Sequence, residues 1–260
     1  MSARSLLLKE RLKAGETTYG GWLTVASPVI AEIMAGTGFD WVVIDTEHGG
    51  FDNEGLMTNL IAFNGSPTVP MVRVPWNDAV RIKQILDMGA DGVLVPMVNS
   101  AAEATAAVAA CKYPPHGIRG FGPRRASDYG RKTEEYVAQA NDGVVVMLQI
   151  EHIDAVAQID AILDTPGIDV VCLGPTDLSG SAGVLRQFEH AIVTEALTKV
   201  IDAARKRKLP ACLGVVRPDA ETRKWIALGA NFMVTCEDVS LLGTAARQSL
   251  DHMRSVVRGR

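Results

Sequence analysis

Short apolar runs alternate with longer helical stretches along the whole chain, and this alternation constrains the fold more than any other feature. The apolar runs occupy residues 19–24, 41–45, 68–73, 92–96, 144–150, 170–173, 210–214 and 232–235. Helical patterns fill residues 28–35, 54–63, 79–88, 101–111, 154–163, 188–207, 219–228 and 239–254. The runs are apolar throughout rather than alternating, as expected of parallel strands covered on both faces. Gly-Phe-Asp at 38–40, Gly-Ala-Asp at 89–91, Pro-Gly-Ile-Asp at 166–169 and Gly-Ala-Asn at 229–231 precede strands and read as helix-ending turns. Eight strand–helix units in a chain of 260 residues predict an α/β fold, a (β/α)8 TIM barrel forming one domain over residues 1–260.

An apolar content of 47% supplies a sizeable core. The formal net charge is -4, with both signs spread along the chain. That argues against a general nucleic-acid footprint, which needs a basic face or stripe. Residues 1–13 are charged and amphipathic, with Leu6, Leu7, Leu8 and Leu12. They lack the apolar length of a signal peptide or membrane span, and read as a helix covering one end of the fold. The four cysteines, Cys111, Cys172, Cys212 and Cys236, are far apart in sequence and spell no zinc or redox motif. Three of them lie within apolar strands, which points to a reducing, cytoplasmic setting.

In a barrel the carboxyl ends of all the strands surround one mouth, where ligands bind. The second strand ends on Asp45, followed by Glu47 and His48; the third ends on Arg73; the fifth runs into Glu151; the sixth opens into Gly174-Pro175-Thr176-Asp177. Ionisable groups are costly at the end of a buried strand unless paired or ligated. Asp45 can hold the His48 imidazole in one tautomer, making a general base near neutral pH. Alternatively, Arg73 is a structural partner of Asp45 or Glu47. Glu151 and Asp177, with no thiolate or histidine beside them, suit a hard cation such as Mg2+ or Mn2+. The plain alternatives are a salt bridge from Glu151 to Arg73, and an N-cap by Asp177. Arg73 beside a metal can stabilise an enolate as its charge develops. The remaining histidines, His116, His152, His190 and His252, read as solvated helix or loop residues. No strand ends on a lysine, which argues against Schiff-base chemistry.

The segment 113–142 breaks the rhythm. It is long, rich in Gly and Pro, and basic, with Arg119, Arg124, Arg125, Arg131 and Lys132; 133–140 within it reads as helix. A loop of this length is usually a lid, a binding loop or an interface.

Several stretches together resemble the HpcH/HpaI family of metal-dependent, pyruvate-using aldolases. They are Gly21-Trp22, residues 35–41, Ile44-Asp45-Thr46-Glu47-His48, residues 72–78, Leu94-Val95-Pro96-Met97-Val98, residues 113–120, Gln149-Ile150-Glu151 and residues 174–179. The resemblance implies a class II aldolase that reversibly cleaves 4-hydroxy-2-oxo acids to pyruvate and an aldehyde through a metal-bound pyruvate enolate. It assigns the divalent cation (Mg2+, Mn2+ or Co2+) to Glu151 and Asp177. Thr176 and Asp177 then hold the carboxylate of pyruvate or hydroxypyruvate, Arg73 stabilises the enolate, and His48 with Asp45 forms the acid/base dyad. Asp87 matches an aspartate near the neighbouring subunit's part of the site. The resemblance further implies a homohexamer, a trimer of dimers, in which the last helix packs on a neighbouring subunit. The chain departs from the family pattern in 121–129, where the aldehyde should enter. That basic stretch would also suit the phosphates of coenzyme A, so a coenzyme A thioester lyase of the citrate-lyase-beta type is the rival enzyme. A non-catalytic keto-acid binder is the third alternative.

Overall fold

A computed structural model describes residues 3–213 and 220–258. Eight parallel strands close into one barrel in chain order, so the predicted (β/α)8 architecture is the observed one. The first half runs α1 (Ala3–Lys13), β1 (Thr18–Leu23), α2 (Pro28–Gly36), β2 (Trp41–Asp45), α3 (Asn53–Ala62), β3 (Val69–Arg73), α4 (Ala79–Asp87), β4 (Gly92–Val95) and α5 (Ala101–Cys111). The second runs α6 (Thr133–Gly143), β5 (Val145–Ile150), α7 (Ile153–Ala157), α8 (Ile159–Leu163), β6 (Val170–Leu173), α9 (Pro175–Ser181), α10 (Ala191–Lys206), β7 (Ala211–Leu213), α11 (Ala220–Leu228), β8 (Ala230–Glu237) and α12 (Asp238–Arg258). Gly214 and Asp219, which the sequence reading places at the end of β7 and the start of α11, lie outside the described residues. The helix expected over 154–163 is two short ones, with the break at Gln158. The turn after β6 is itself helical, as α9.

The strands have two buried faces because two cores meet on them. Val42, Ile44, Val72, Val93, Val146 and Leu148 pack outward against the helices. Trp41, Val43, Met71, Leu94, Met147, Cys172, Cys212 and Phe232 fill the barrel interior. The rings of Trp41 and Phe232 stack with centroids 4.0 Å apart. A Cβ on Gly20 would stand 2.3 Å from the Trp41 ring, so only glycine lets β1 pass this layer. Each large side chain buried here contributes roughly 1.5–3 kcal/mol.

The amphipathic N-terminal segment covers one end of the fold, as read from sequence. Leu8 and Leu12 of α1 close the barrel interior from its amino-terminal end. Three of the repeated turns supply acids to this helix. Arg4 meets Asp91 at 2.7 Å, Lys9 meets Asp169 at 2.9 Å, and Arg11 meets Asp40 at 2.5 Å. The turn glycines before these aspartates take left-handed backbone, with φ +97 at Gly38, +92 at Gly89 and +96 at Gly167. No helix among the described residues is long and apolar enough to cross a membrane.

Candidate active site

At the carboxyl end of β2 and β3, register places Asp45 beside Arg73. The two side chains form a two-point fork, Nε to Oδ1 at 2.9 Å and Nη2 to Oδ2 at 2.6 Å. Oδ1 of Asp45 also accepts the backbone N–H groups of Glu47 (3.0 Å) and His48 (3.3 Å). These donors hold the Asp45 carboxyl below the usual carboxylate range, against the upward push of its burial. No hydrogen bond joins this carboxylate to the His48 ring among the described residues. The expected Asp45–imidazole pairing is therefore replaced by an Asp45–Arg73 fork, the alternative considered for Arg73. His48 itself is exposed at the mouth. The Trp22 ring lies 4.6 Å from the Arg73 guanidinium carbon and covers it.

Glu47 approaches Arg73 Nη1 at 3.1 Å, yet its Oε2 is buried without a hydrogen bond. The contact is an ion pair that lacks hydrogen-bond alignment. Burial raises the Glu47 carboxyl; Arg73 and His48 lower it, while Asp45 and Asp177 raise it.

Glu151 follows β5 two residues after Gln149, so both point into the barrel. It is only 2% exposed. Its Oε1 accepts the Met97 N–H at 2.8 Å and its Oε2 accepts Gln149 Nε2 at 2.6 Å. The salt bridge to Arg73 considered from sequence is not formed. Burial pushes the Glu151 carboxyl up to about 7, with Glu47 and Asp177 adding to the rise and the Met97 N–H and Arg73 opposing it. Gly174 completes the cradle: a Cβ there would stand 2.5 Å from Glu151 Oε2 and 2.8 Å from Gln149 Nε2.

Asp177 and Thr176 lie exposed in the first turn of α9. Gly174 is the cap of that helix and no side chain caps it, so the N-cap alternative for Asp177 is not what the structure shows. Asp45, Glu47, His48, Arg73, Glu151 and Asp177 thus lie at or just after the carboxyl ends of β2, β3, β5 and β6, around one mouth of the closed barrel. No strand among the described residues ends on lysine.

These residues fit a hard divalent cation. Glu47 Oε2 and Gln149 Oε1 are buried without a hydrogen bond, and Glu151 is a buried carboxyl that a cation would return to its charged form. No cluster of three or more His, Cys, Asp or Glu has metal-holding geometry among the described residues. Two carboxylates with open positions match a cation that keeps several waters.

Asp87 lies elsewhere. It ends α4, at the amino-terminal end of the barrel, and holds Arg119 at 2.7 Å. Arg119 is buried against the ring of Tyr113, 4.5 Å from its centroid. Arg125 donates to the Met88, Leu60 and Asn64 oxygens at the ends of α4 and α3. Arg119 and Arg125 of the basic segment therefore brace the end opposite the mouth. His152 and His190 cap α7 and α10 through Nδ1, while His116 and His252 are exposed.

Gln149, Met97 and Trp22 are given no role by the sequence reading, although each lies in a stretch that resembles the family. The period-2 spacing of Gln149 to Glu151 is a further local signal that points to the first of them.

The profile of the HpcH/HpaI aldolase/citrate lyase family matches residues 18–245. The 4-hydroxy-2-oxo-heptane-1,7-dioate aldolase of Salmonella typhi is 42% identical over 241 residues, 92% of this chain and 90% of that protein. An HpcH/HpaI aldolase/citrate lyase family protein from Burkholderia cenocepacia superposes with a TM-score of 0.89 at 33% identity, covering 95% of this chain and 99% of that one. The citrate lyase beta subunit of M. tuberculosis, solved with oxaloacetate and magnesium, shares only the fold: TM-score 0.58 and 16% identity over 87% of this chain and 93% of that one. With these matches spanning nearly the whole barrel and its mouth, the chain belongs to the HpcH/HpaI aldolase/citrate lyase family.

Proposed function

We propose that this protein is a class II, divalent-metal-dependent aldolase that reversibly cleaves a 4-hydroxy-2-oxo acid to pyruvate and an aldehyde. The observation that carries the reading is the mouth itself. A buried Glu151 and its acidic neighbours Glu47 and Asp177 face a single arginine already forked to Asp45. Family membership and the relatives named as aldolases agree with it, as does the divalent-metal dependence general in this family.

Glu151 and Asp177 would hold the cation, with Mg2+, Mn2+ and Co2+ as candidates. A cation bound there would polarise the 2-keto group and stabilise negative charge on its oxygen. Arg73, locked by Asp45 and covered by Trp22, presents a fixed positive charge to that oxygen without reorganising. Thr176 and Asp177, at the first turn of α9, offer backbone N–H groups to the substrate carboxylate. His48, exposed beside Glu47, would accept the 4-hydroxyl proton in cleavage and deliver it to the enolate carbon to give pyruvate; in condensation it would take a methyl proton and give it to the new alkoxide. Asp45 supports this role indirectly, by fixing the backbone of Glu47 and His48.

The same reading extends to assembly. In α12 only Asp238 is buried, while Leu241, Leu242, Leu250, Met253 and Val257 are exposed. Val29 and Ile33 of α2 and Ile226 of α11 are exposed as well. Exchange of α12 between copies would cover both sets, in a hexamer built as a trimer of dimers with Asp87 serving a neighbour's site. The four free, buried cysteines fit a cytoplasmic setting.

Deuterium exchange tests the reading. With metal and no aldehyde, the enzyme is expected to exchange the pyruvate methyl protons with D2O, followed by NMR. His48→Ala should slow the exchange strongly while leaving pyruvate and metal affinity near wild type. Absence of exchange in the wild-type enzyme would refute the aldolase reading; rapid exchange in His48→Ala would move the base to Glu47.

A further inference from the structure

The connection after β4 is irregular where it meets Glu151. At neighbouring strand pairs, the residue after a register pair donates its N–H to the partner's carbonyl. Thr46 donates to Arg73, Val74 to Leu94 and Gly174 to Ile150. The β4–β5 register runs from Gly92↔Val145 to Val95↔Leu148. Continued by one step, it would bring the Met97 N–H to the Gln149 carbonyl. That carbonyl accepts instead from Val98, at 3.3 Å. One extra residue has entered the β4 side, as in a bulge.

Pro96, lacking an N–H, stands where regular β4 pairing ends. Met97 then takes left-handed backbone, φ +52, which is unfavourable for a residue other than glycine. The released Met97 N–H turns inward and meets Glu151 Oε1 at 2.8 Å. Gln149 Nε2 occupies the other oxygen at 2.6 Å. The Glu151 carboxylate is thereby held at both oxygens.

We propose that Met97 is a positioning residue: the bulge at Pro96-Met97 uses a strained backbone to aim one N–H at Glu151 and so preorganise the cation site. This inference rests on the metal-site reading given above. What matters is the conformation of residue 97, not its thioether. A residue that enters the left-handed region freely should therefore preserve the grip, and a β-branched residue should break it.

The test is Mn2+ binding, followed by electron paramagnetic resonance, to wild type, Met97→Gly, Met97→Val and Glu151→Ala. Melting curves of the metal-free proteins accompany it. Met97→Val is expected to bind Mn2+ about tenfold or more weakly than Met97→Gly, the range typical for loss of a group that supports a metal ligand. Met97→Gly should also melt higher than wild type, because its strain is relieved. Should Met97→Val fail to fold, Met97→Gly decides alone: a loss of about tenfold or more in Mn2+ affinity would assign the role to the side chain and overturn the proposal. Equal affinities of folded Met97→Val and wild type would overturn it too. If wild type itself showed no Glu151-dependent Mn2+ binding, the metal-site reading would fall with it.

Discussion

At the amino-terminal end of the barrel, Asp40, Asp91 and Asp169 each meet a cation of α1, and Lys9 adds a bond to the Val144 carbonyl. At the carboxyl-terminal end, Glu47, Glu151 and Asp177 surround one arginine that Asp45 has already engaged. Both ends are loops of the same repeating unit. At the first, each of these three turn aspartates has a cation of α1 and follows a short turn whose left-handed position is taken by glycine. At the second, three acids share one arginine, Met97 is left-handed, and Glu47 Oε2 and Gln149 Oε1 are buried without a hydrogen bond. The first arrangement favours the fold; the second costs stability, as expected of the cation site that the proposed function places there.

Removing the cation ligands should break this contrast most strongly. Glu151→Ala and Asp177→Ala are each expected to lower metal-dependent kcat/KM by about 10³-fold or more, since the charge stabilisation of several kcal/mol disappears. The barrel should stay folded by circular dichroism, because Asp177 is exposed and, at Glu151, loss of a costly buried carboxyl offsets loss of its bonds from the Met97 N–H and Gln149. Wild-type turnover at limiting metal in either variant would show that the mouth is not a cation site.

A smaller effect follows from pH. Glu151 stands raised from 4.5 to about 7 in the folded, metal-free protein, chiefly by burial. Because the fold prefers the protonated acid, its contribution is fully present below about 4.5 and is lost as pH rises through about 7. The shift corresponds to at most about 3 kcal/mol. Melting temperature of the metal-free protein should decline across that window, and Glu151→Gln should remove most of the decline. Added metal should reverse it, with proton uptake or release measured by calorimetry in two buffers. A flat profile in the metal-free wild type would mean that the mouth is as well compensated as the opposite end.

The smallest effect belongs to that opposite end. Lys9→Met leaves Asp169 with the Val146 N–H but without its cation. It is expected to cost about 2 kcal/mol by chemical denaturation, less than the loss of a fully buried pair. Its kcat should stay within about twofold of wild type, since the two ends share no partners. A large fall in kcat would show that they are coupled.

Much of this contrast can be read along the chain. The repeated Gly-x-Asp turns, the apolar strands and the amphipathic first helix follow local patterns, and each formed as expected. The acids Asp45, Glu151 and Asp177 announce themselves at strand ends. Partner choice was less legible. Asp45 lies three residues from His48 in sequence, yet β2–β3 register gives its carboxylate to Arg73. Arg125 reads as part of a binding loop, yet it braces the ends of α3 and α4. Met97 carries no polar side chain, so nothing in its chemistry marks it; only the extra residue in the β4–β5 ladder turns its N–H toward Glu151.

The amino-acid sequence by itself determined the order of strands and helices, the closed parallel barrel they build, and the set of ionisable residues that reach its mouth. These depend on periodicity and turn chemistry within short stretches, which act before distant residues meet. Tertiary structure alone decided which acid is paired with a cation and which is buried without one. Register between neighbouring strands assigns the donors, and burial by the whole barrel sets the ionisation cost, so neither is a property of any short segment of the chain.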